Sequence, residues 1–246
     1  MAHKLRSMVS FPLRLAFAAS ISVIGAQVVR GQTPSKRAFP IGTDSFVSHY
    51  TRAPEGSEVH VFQRTDTGYR YIERIVIPRV MRREVVVDFD RSLRVLHAQS
   101  TGSIGDRPIR SFVVYDGRRA RGSAQPLQAQ SAAAVRIDTV LPVRAFDGLA
   151  LYPVLLSRRW RIGDVDTLFL FDTDELSVTR QTARATRREP LTLSTGSIAT
   201  LRVELSTTQL PVTLWLSEKA PHRLLKIASA NGETIRVFTS VPSNER

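Results

Sequence analysis

The feature that most constrains this chain is a two-residue rhythm of apolar and polar side chains, repeated in short runs along most of its length. Val85, Val87 and Phe89 alternate with Glu84, Val86 and Asp88, and Leu201, Val203 and Leu205 alternate with Arg202, Glu204 and Ser206. Successive side chains of a strand point to opposite faces, so such a run buries one face and wets the other. The runs are rich in Val, Ile, Tyr, Phe and Thr, and turn signals separate them at Asp66-Thr67-Gly68, Asp90 to Ser92, Gly102 to Pro108, Asp116-Gly117, Thr195-Gly196 and Asn231-Gly232. Asp-Gly and Asn-Gly favour tight hairpins because both residues tolerate positive φ. The rhythm predicts a mostly β protein, with antiparallel meanders forming a curved sheet or incomplete barrel around one short central helix.

That helix is expected within "FDGLALYPVLLSRRWRIGD", residues 146–164. Leu149, Leu151, Tyr152, Leu155 and Leu156 form a broad apolar face, Asp147 is placed to cap the start, and Gly163 ends the unit. Pro153 is compatible with a helix only near its first turn or at a kink, so one or two turns packed on the sheet are expected. "AQPLQAQSAAA", residues 124–134, is a low-complexity connection to which no function attaches. In "YRYIERIVI", residues 69–77, large side chains fall on both faces, as in a strand covered on both sides or one that lines a cavity.

The N-terminal segment, residues 1–31, reads as a secretory signal. Lys4, Arg6 and Arg14 precede the apolar run Leu15 to Val29, which at about fifteen residues is short for a membrane span. Val29 and Gly31 favour cleavage after Gly31, with Ala26 as a second site. The expectation is one exported β-rich domain, residues 32–246, with residues 32–45 a flexible leader, located in the periplasm or cell envelope. The absence of cysteine excludes disulfides, a thiol nucleophile, cysteine-bound metal and lipidation of a mature N-terminal cysteine.

Thirty-five Lys and Arg face 22 Asp and Glu, a formal charge of +13. The signal segment carries four of those cations and no acid, so the exported domain stays strongly basic. Arginines cluster at 82–83, 118–121, 158–161 and 187–188. For an exported protein the available counter-charges are anionic envelope components, not nucleic acid; solvated strand faces are the simpler account.

No catalytic constellation is legible. There is no G-x-S-x-G, Ser197 follows Gly196 in a hairpin turn, and Ser217 has a lysine at i+2, Lys219, not the i+3 of S-x-x-K. His49, His60, His97 and His222 are scattered singly, so no metal or other cofactor is expected. Asp164, Asp166, Asp172, Asp174 and Glu175 flank an apolar strand and read as solvated turn acids. The expectation is therefore a non-enzymatic protein.

The order of the helix "FDGLALYPVLL", the return "RRWRIGD", the strands "LFLFD" and "IATLRVEL", and then "LPVTLWLSEKAPHRLLKI" resembles the exported bacterial family catalogued as domain of unknown function 3108, best over residues 140–230. The resemblance implies a curved sheet similar to the lipoprotein-localisation carriers, enclosing an apolar groove. By that analogy Phe146, Tyr152, Trp160, Leu214 and Leu216 would line a site for a lipid or other apolar ligand. The alternative is a structural or interaction module with a filled core, which docks an anionic envelope surface or a protein partner. Oligomeric state is not legible in the sequence.

Overall fold

A computed structural model describes residues 38–51, 53–126, 133–194, 196–206, 211–230 and 234–240. Residues 1–31, read above as a secretory signal, the start of the expected leader at 32–37, most of the 124–134 connection and the Asn231-Gly232 turn lie outside the described residues. The first meander comprises β1 (Gly42–Tyr50), β2 (Ala53–Arg64), β3 (Gly68–Ile77), β4 (Met81–Asp90), β5 (Val95–Ile104), β6 (Arg107–Asp116), β7 (Arg119–Ala124) and β8 (Val135–Val140). A three-residue strand, β9 (Ala145–Asp147), leads through a 3-10 turn, Gly148–Ala150, into α1 (Leu151–Leu156). The second meander follows as β10 (Val165–Asp172), β11 (Ser177–Leu193), β12 (Gly196–Ser206), β13 (Val212–Ser217), β14 (Leu224–Ser229) and β15 (Thr234–Ser240).

The two meanders are one sheet of 15 strands, because β15 pairs antiparallel with β1. β8 and β9, close in the chain, stand at its opposite edges. β9 joins β10 in parallel, a pairing that needs a crossover, and α1 supplies it. The sheet curls without closing, so that β9 and the 3-10 turn return against β5. A hydrogen bond from the Tyr115 hydroxyl on β6 to Asp147 fastens this overlap. Pro153 falls in the first turn of α1, where its missing N–H leaves no intrahelical bond unmade, and Asp147 caps the 3-10 entry by accepting from the Leu149 N–H at 2.8 Å.

The concave face is filled. Phe62, Tyr71, Phe89, Leu155, Leu156, Leu168, Leu214, Leu216 and Leu224 are completely or almost completely buried there. The leader is not flexible throughout: β1 begins at Gly42, and Phe39 is buried with its ring 4.6 Å from Tyr69 and 5.9 Å from both Phe62 and Phe89. An aromatic side chain next to a curled apolar sheet gains more by burial, about 2–3 kcal/mol, than a short segment gains by staying solvated.

On the convex face several arginines meet acids across strands. Arg70 pairs with Asp88 and Arg74 with Glu84, each at 2.6 Å, and Arg119 pairs with Asp138 at 2.8 Å. Exposed pairs of this kind contribute about 0–1 kcal/mol each, so they tune the strand register more than they hold the fold. Close strand approach is visible at Gly102, where φ is +148° and a Cβ would lie 1.9 Å from the Arg82 carbonyl.

Burial dictates the expected mutational pattern. Leu216→Ala should lower unfolding free energy in urea by about 2–5 kcal/mol, the range for emptying a filled core position. Ile162→Ala, at a residue half exposed, should change it by no more than about 0.5 kcal/mol.

Candidate functional site

The alternation that fills the concave face with apolar groups also places polar ones there. On β2 the inward residues are Gly56, Glu58, His60 and Phe62, and on β3 they are Tyr69, Tyr71, Glu73 and Ile75. Strand register then sets His60 opposite Asp44 of β1 on one side and opposite Glu73 of β3 on the other. The result is a buried row, Asp44–His60–Glu73, with Glu58 two residues from His60 on the same strand face. Exposures are 0% for Asp44 and His60, 1% for Glu58 and 8% for Glu73.

Within this row Nε2 of His60 lies 2.5 Å from Oε1 of Glu58, and the Tyr71 hydroxyl donates to Oε2 of Glu73 at 2.9 Å. Burial and the neighbouring carboxylates raise the Tyr71 phenol well above its ordinary range, which keeps it a neutral donor. Tyr152 of α1 stacks on the imidazole with ring centres 5.7 Å apart. Asp44 takes the Arg223 guanidinium, whose Nε donates at 2.8 Å; burial nevertheless raises its carboxyl, and Arg223 opposes that. Oδ2 of Asp44, Oγ of Ser48 and Nδ1 of His60 are buried with no hydrogen-bond partner among the described residues. Ligand atoms of Glu58, His60 and Glu73 lie within 4.8 Å of one another.

A second polar region flanks the helix entry. A cavity of about 220 Å³ is lined by Arg83, Asp147, Asp172, Asp174 and Gln181 together with Leu149, Leu151, Leu170 and Phe171. Asp147, fully buried beneath it, has its carboxyl raised to about 6 by burial, against the hydrogen bonds from Tyr115 and the Leu149 N–H. Burial also raises Asp174, with Arg83 opposing.

The five residues expected to line an apolar groove have the following surroundings. Leu214 and Leu216 are in the filled core, at 1% and 0% exposure. Phe146 is half-buried on β9, and Trp160 donates from Nε1 to the Leu155 carbonyl at 2.9 Å with Arg158 over its ring. Tyr152 alone joins the polar row. None of the five lines the 220 Å³ cavity.

Other residues weighed for chemistry have structural partners. Oγ of Ser217 accepts from the Arg223 N–H at 2.7 Å, and Nδ1 of His222 lies 2.7 Å from the Ser217 carbonyl, so the pair holds a hairpin loop and has no nucleophile–base geometry. Trp215, on the convex face, donates to Glu189 at 2.6 Å under Lys226 and Arg202. Asp166 differs from a solvated turn acid: it is buried in an ion pair with Arg158, because its β10 position points inward. The polar row escapes sequence reading, since its three strands are brought together by register. The only local signal is Glu58-x-His60, two residues apart and hence on one strand face.

No protein-family model matches the chain, and no curated protein matches it. Among solved structures, a β-barrel-like protein of the domain of unknown function DUF1849 from Brucella abortus is similar, with 9% sequence identity and a TM-score of 0.49 over 82% of this chain and 98% of that one.

Asp147 generates a pH signature. Its folded carboxyl near 6 lies above the ordinary 3.8, so the folded state holds the proton more tightly than the unfolded chain. The associated stability is present below about pH 4 and is lost as pH rises through about 6, a change of roughly 2–3 kcal/mol. Urea midpoints of wild type and Asp147→Asn, compared every half unit between pH 4 and 7, should diverge with that sign. Parallel profiles would show that Asp147 titrates normally.

Proposed function

We propose that this chain is an exported envelope protein, related to the family catalogued as domain of unknown function 3108, that docks on an anionic lipid surface through the convex face of β5 to β8. The observation that supports this reading is an apolar centre inside a cationic surround. Phe112 and Val114, on the outer side of β6, are 46% and 45% exposed. Register sets Phe112 beside Gln99 and Ser123, and Val114 beside His97 and Arg121; the His97 ring lies 5.7 Å from that of Phe112. Arg110, Arg119, Arg121 and Arg136 share this face, and Val140 stands opposite Arg119. Asp116 and Asp138 are the acids on the same face of β6 to β8, which leaves an excess of positive charge. Exposed apolar side chains suit the headgroup boundary, and guanidinium groups bind phosphate bidentately.

The interior supports docking over carriage. Among the described residues the concave face is packed with apolar side chains, and a cavity beside the helix, about 220 Å³ with charged walls, is smaller than the roughly 300–1,000 Å³ usual for ligand pockets. An acyl chain would have to displace buried Leu, Phe and Tyr side chains.

Flotation of the secreted protein with phosphatidylglycerol vesicles should show binding that falls as salt rises to roughly 0.5 M, while phosphatidylcholine vesicles bind weakly. Arg110→Glu with Arg136→Glu should weaken binding at least tenfold, since each cation at an anionic surface is worth about 1 kcal/mol. Phe112→Ser should weaken it without changing the salt slope. Equal binding to both vesicle types, or indifference to the charge reversal, would overturn the docking reading. A lipid co-purifying at one per chain in native mass spectrometry would instead favour carriage in the curved sheet.

A further inference from the structure

We infer that the cavity beside the helix entry, walled by Arg83, Asp147, Asp172, Thr173, Asp174 and Gln181, is a binding site for a small molecule carrying a primary ammonium group. Three parts of the sheet meet to build it. β10 carries the buried Leu168 and Leu170 up to Asp172, where the turn 173–176 begins. Thr179 and Gln181 follow on β11, on the same face as the buried Ala183 and Ala185. Arg83 reaches the cavity from β4, on the face of Val85, Val87 and Phe89, because the curl of the sheet brings that strand against the 3-10 turn.

The wall has hydrogen-bonding capacity that the fold leaves unused. Thr173 is only 4% exposed and lines the cavity, and its hydroxyl has no hydrogen-bond partner among the described residues. Oε1 of Gln181 is buried without a partner, and the Asp174 carboxylate accepts no hydrogen bond among the described residues. Polar groups withdrawn from water without a partner are destabilising, so a molecule that brings donors to this cavity relieves that cost.

Charge narrows the ligand further. Asp147, Asp172 and Asp174 share the wall with a single cation among its residues, Arg83, whose Nε is given to Ser100 at 2.8 Å. Burial pushes the carboxyls of Asp147 and Asp174 up, and Asp172 adds repulsion at both. An ammonium group meets both requirements, because it supplies a positive charge and three donors to a wall of acceptors. The overall field of the chain does not attract such a molecule, since its formal charge is +13; the attraction is local to this wall. The volume of about 220 Å³ holds about seven waters at roughly 30 Å³ each. That admits ethanolamine or 1,4-diaminobutane, with Leu149, Leu151 and Leu170 as the apolar surface for the alkyl stem.

The test is calorimetric titration and thermal unfolding of the secreted protein with ethanolamine and with 1,4-diaminobutane, against tetramethylammonium and acetate at equal ionic strength. At least one amine should bind with a stoichiometry of about one and, at about 100 times its Kd, should raise Tm by a few degrees. Tetramethylammonium, a cation without N–H donors, and acetate should do neither. Asp174→Asn should weaken amine binding roughly tenfold, the loss of one charge-assisted hydrogen bond, and Thr173→Val should weaken it several-fold. Both variants should keep the amine-free Tm of the wild type, because neither side chain is hydrogen-bonded within the fold. Should Thr173→Val fail to fold, Asp174→Asn, in a partly exposed turn, still decides. No heat or Tm change with either amine, an equal response to tetramethylammonium or acetate, or undiminished binding by Asp174→Asn would each overturn the assignment.

Discussion

The structure depends on the pairing of β1 with β15. Each meander alone would expose one strand edge beside its most apolar region, with a row of unpaired N–H and C=O groups. Joining the first strand to the last converts two sheets into one of 15 strands and moves the free edges to β8 and β9. The join is also what lets the sheet curl far enough to bury both concave faces against one helix. Its contacts link residues 45–50 to residues 234–240, nearly the full described length. Such distant pairing is made at a large loop-closure cost, so the local hairpins are the natural early structures and the β1–β15 join a late one.

The helix occupies the space that curling leaves, and its entry carries the least conventional charge in the fold. Asp147 caps the 3-10 turn with one oxygen and receives the Tyr115 hydroxyl with the other. The first holds the helix entry locally, and the second ties β9 to β6 at the far side of the overlap. An apolar residue would satisfy neither donor; the carboxylate satisfies both, and burial raises its pKa in return.

Much of this was legible from sequence because it is governed by local rules. Alternation in β4 and β12 gave their buried faces, the Asp116-Gly117 pair gave the β6–β7 hairpin, and Asp147 with Pro153 gave a short capped helix. What escaped depends on partners distant in the chain. Nothing near Phe39 signals that its ring will lie against Tyr69 and Phe89, so the segment resembled a solvated leader. Asp166 looked like one acid of a turn cluster until the facing of β10 brought it to Arg158. His60 and Glu73 are separated by a hairpin, and their meeting requires the β2–β3 register, which a shift of one residue would destroy by turning one side chain outward. Leu214 and Leu216 are buried, as their alternation implies, but alternation does not say whether an inner face is filled or hollow.

The polar row then poses an energetic question that the fold alone does not answer. The same three strands carry Phe46, Phe62, Tyr71 and Ile75 on the same face, so apolar side chains fit that layer. Replacing a buried ionic cluster by well-packed apolar groups is often neutral or stabilising by about 1–4 kcal/mol. Packing therefore gives no reason for two carboxylates and an imidazole there, and the hydrogen bonds they make to one another do not satisfy Nδ1 of His60. What the row supplies is specificity of register: like the buried Arg158–Asp166 pair, its side chains meet only when their strands are correctly aligned.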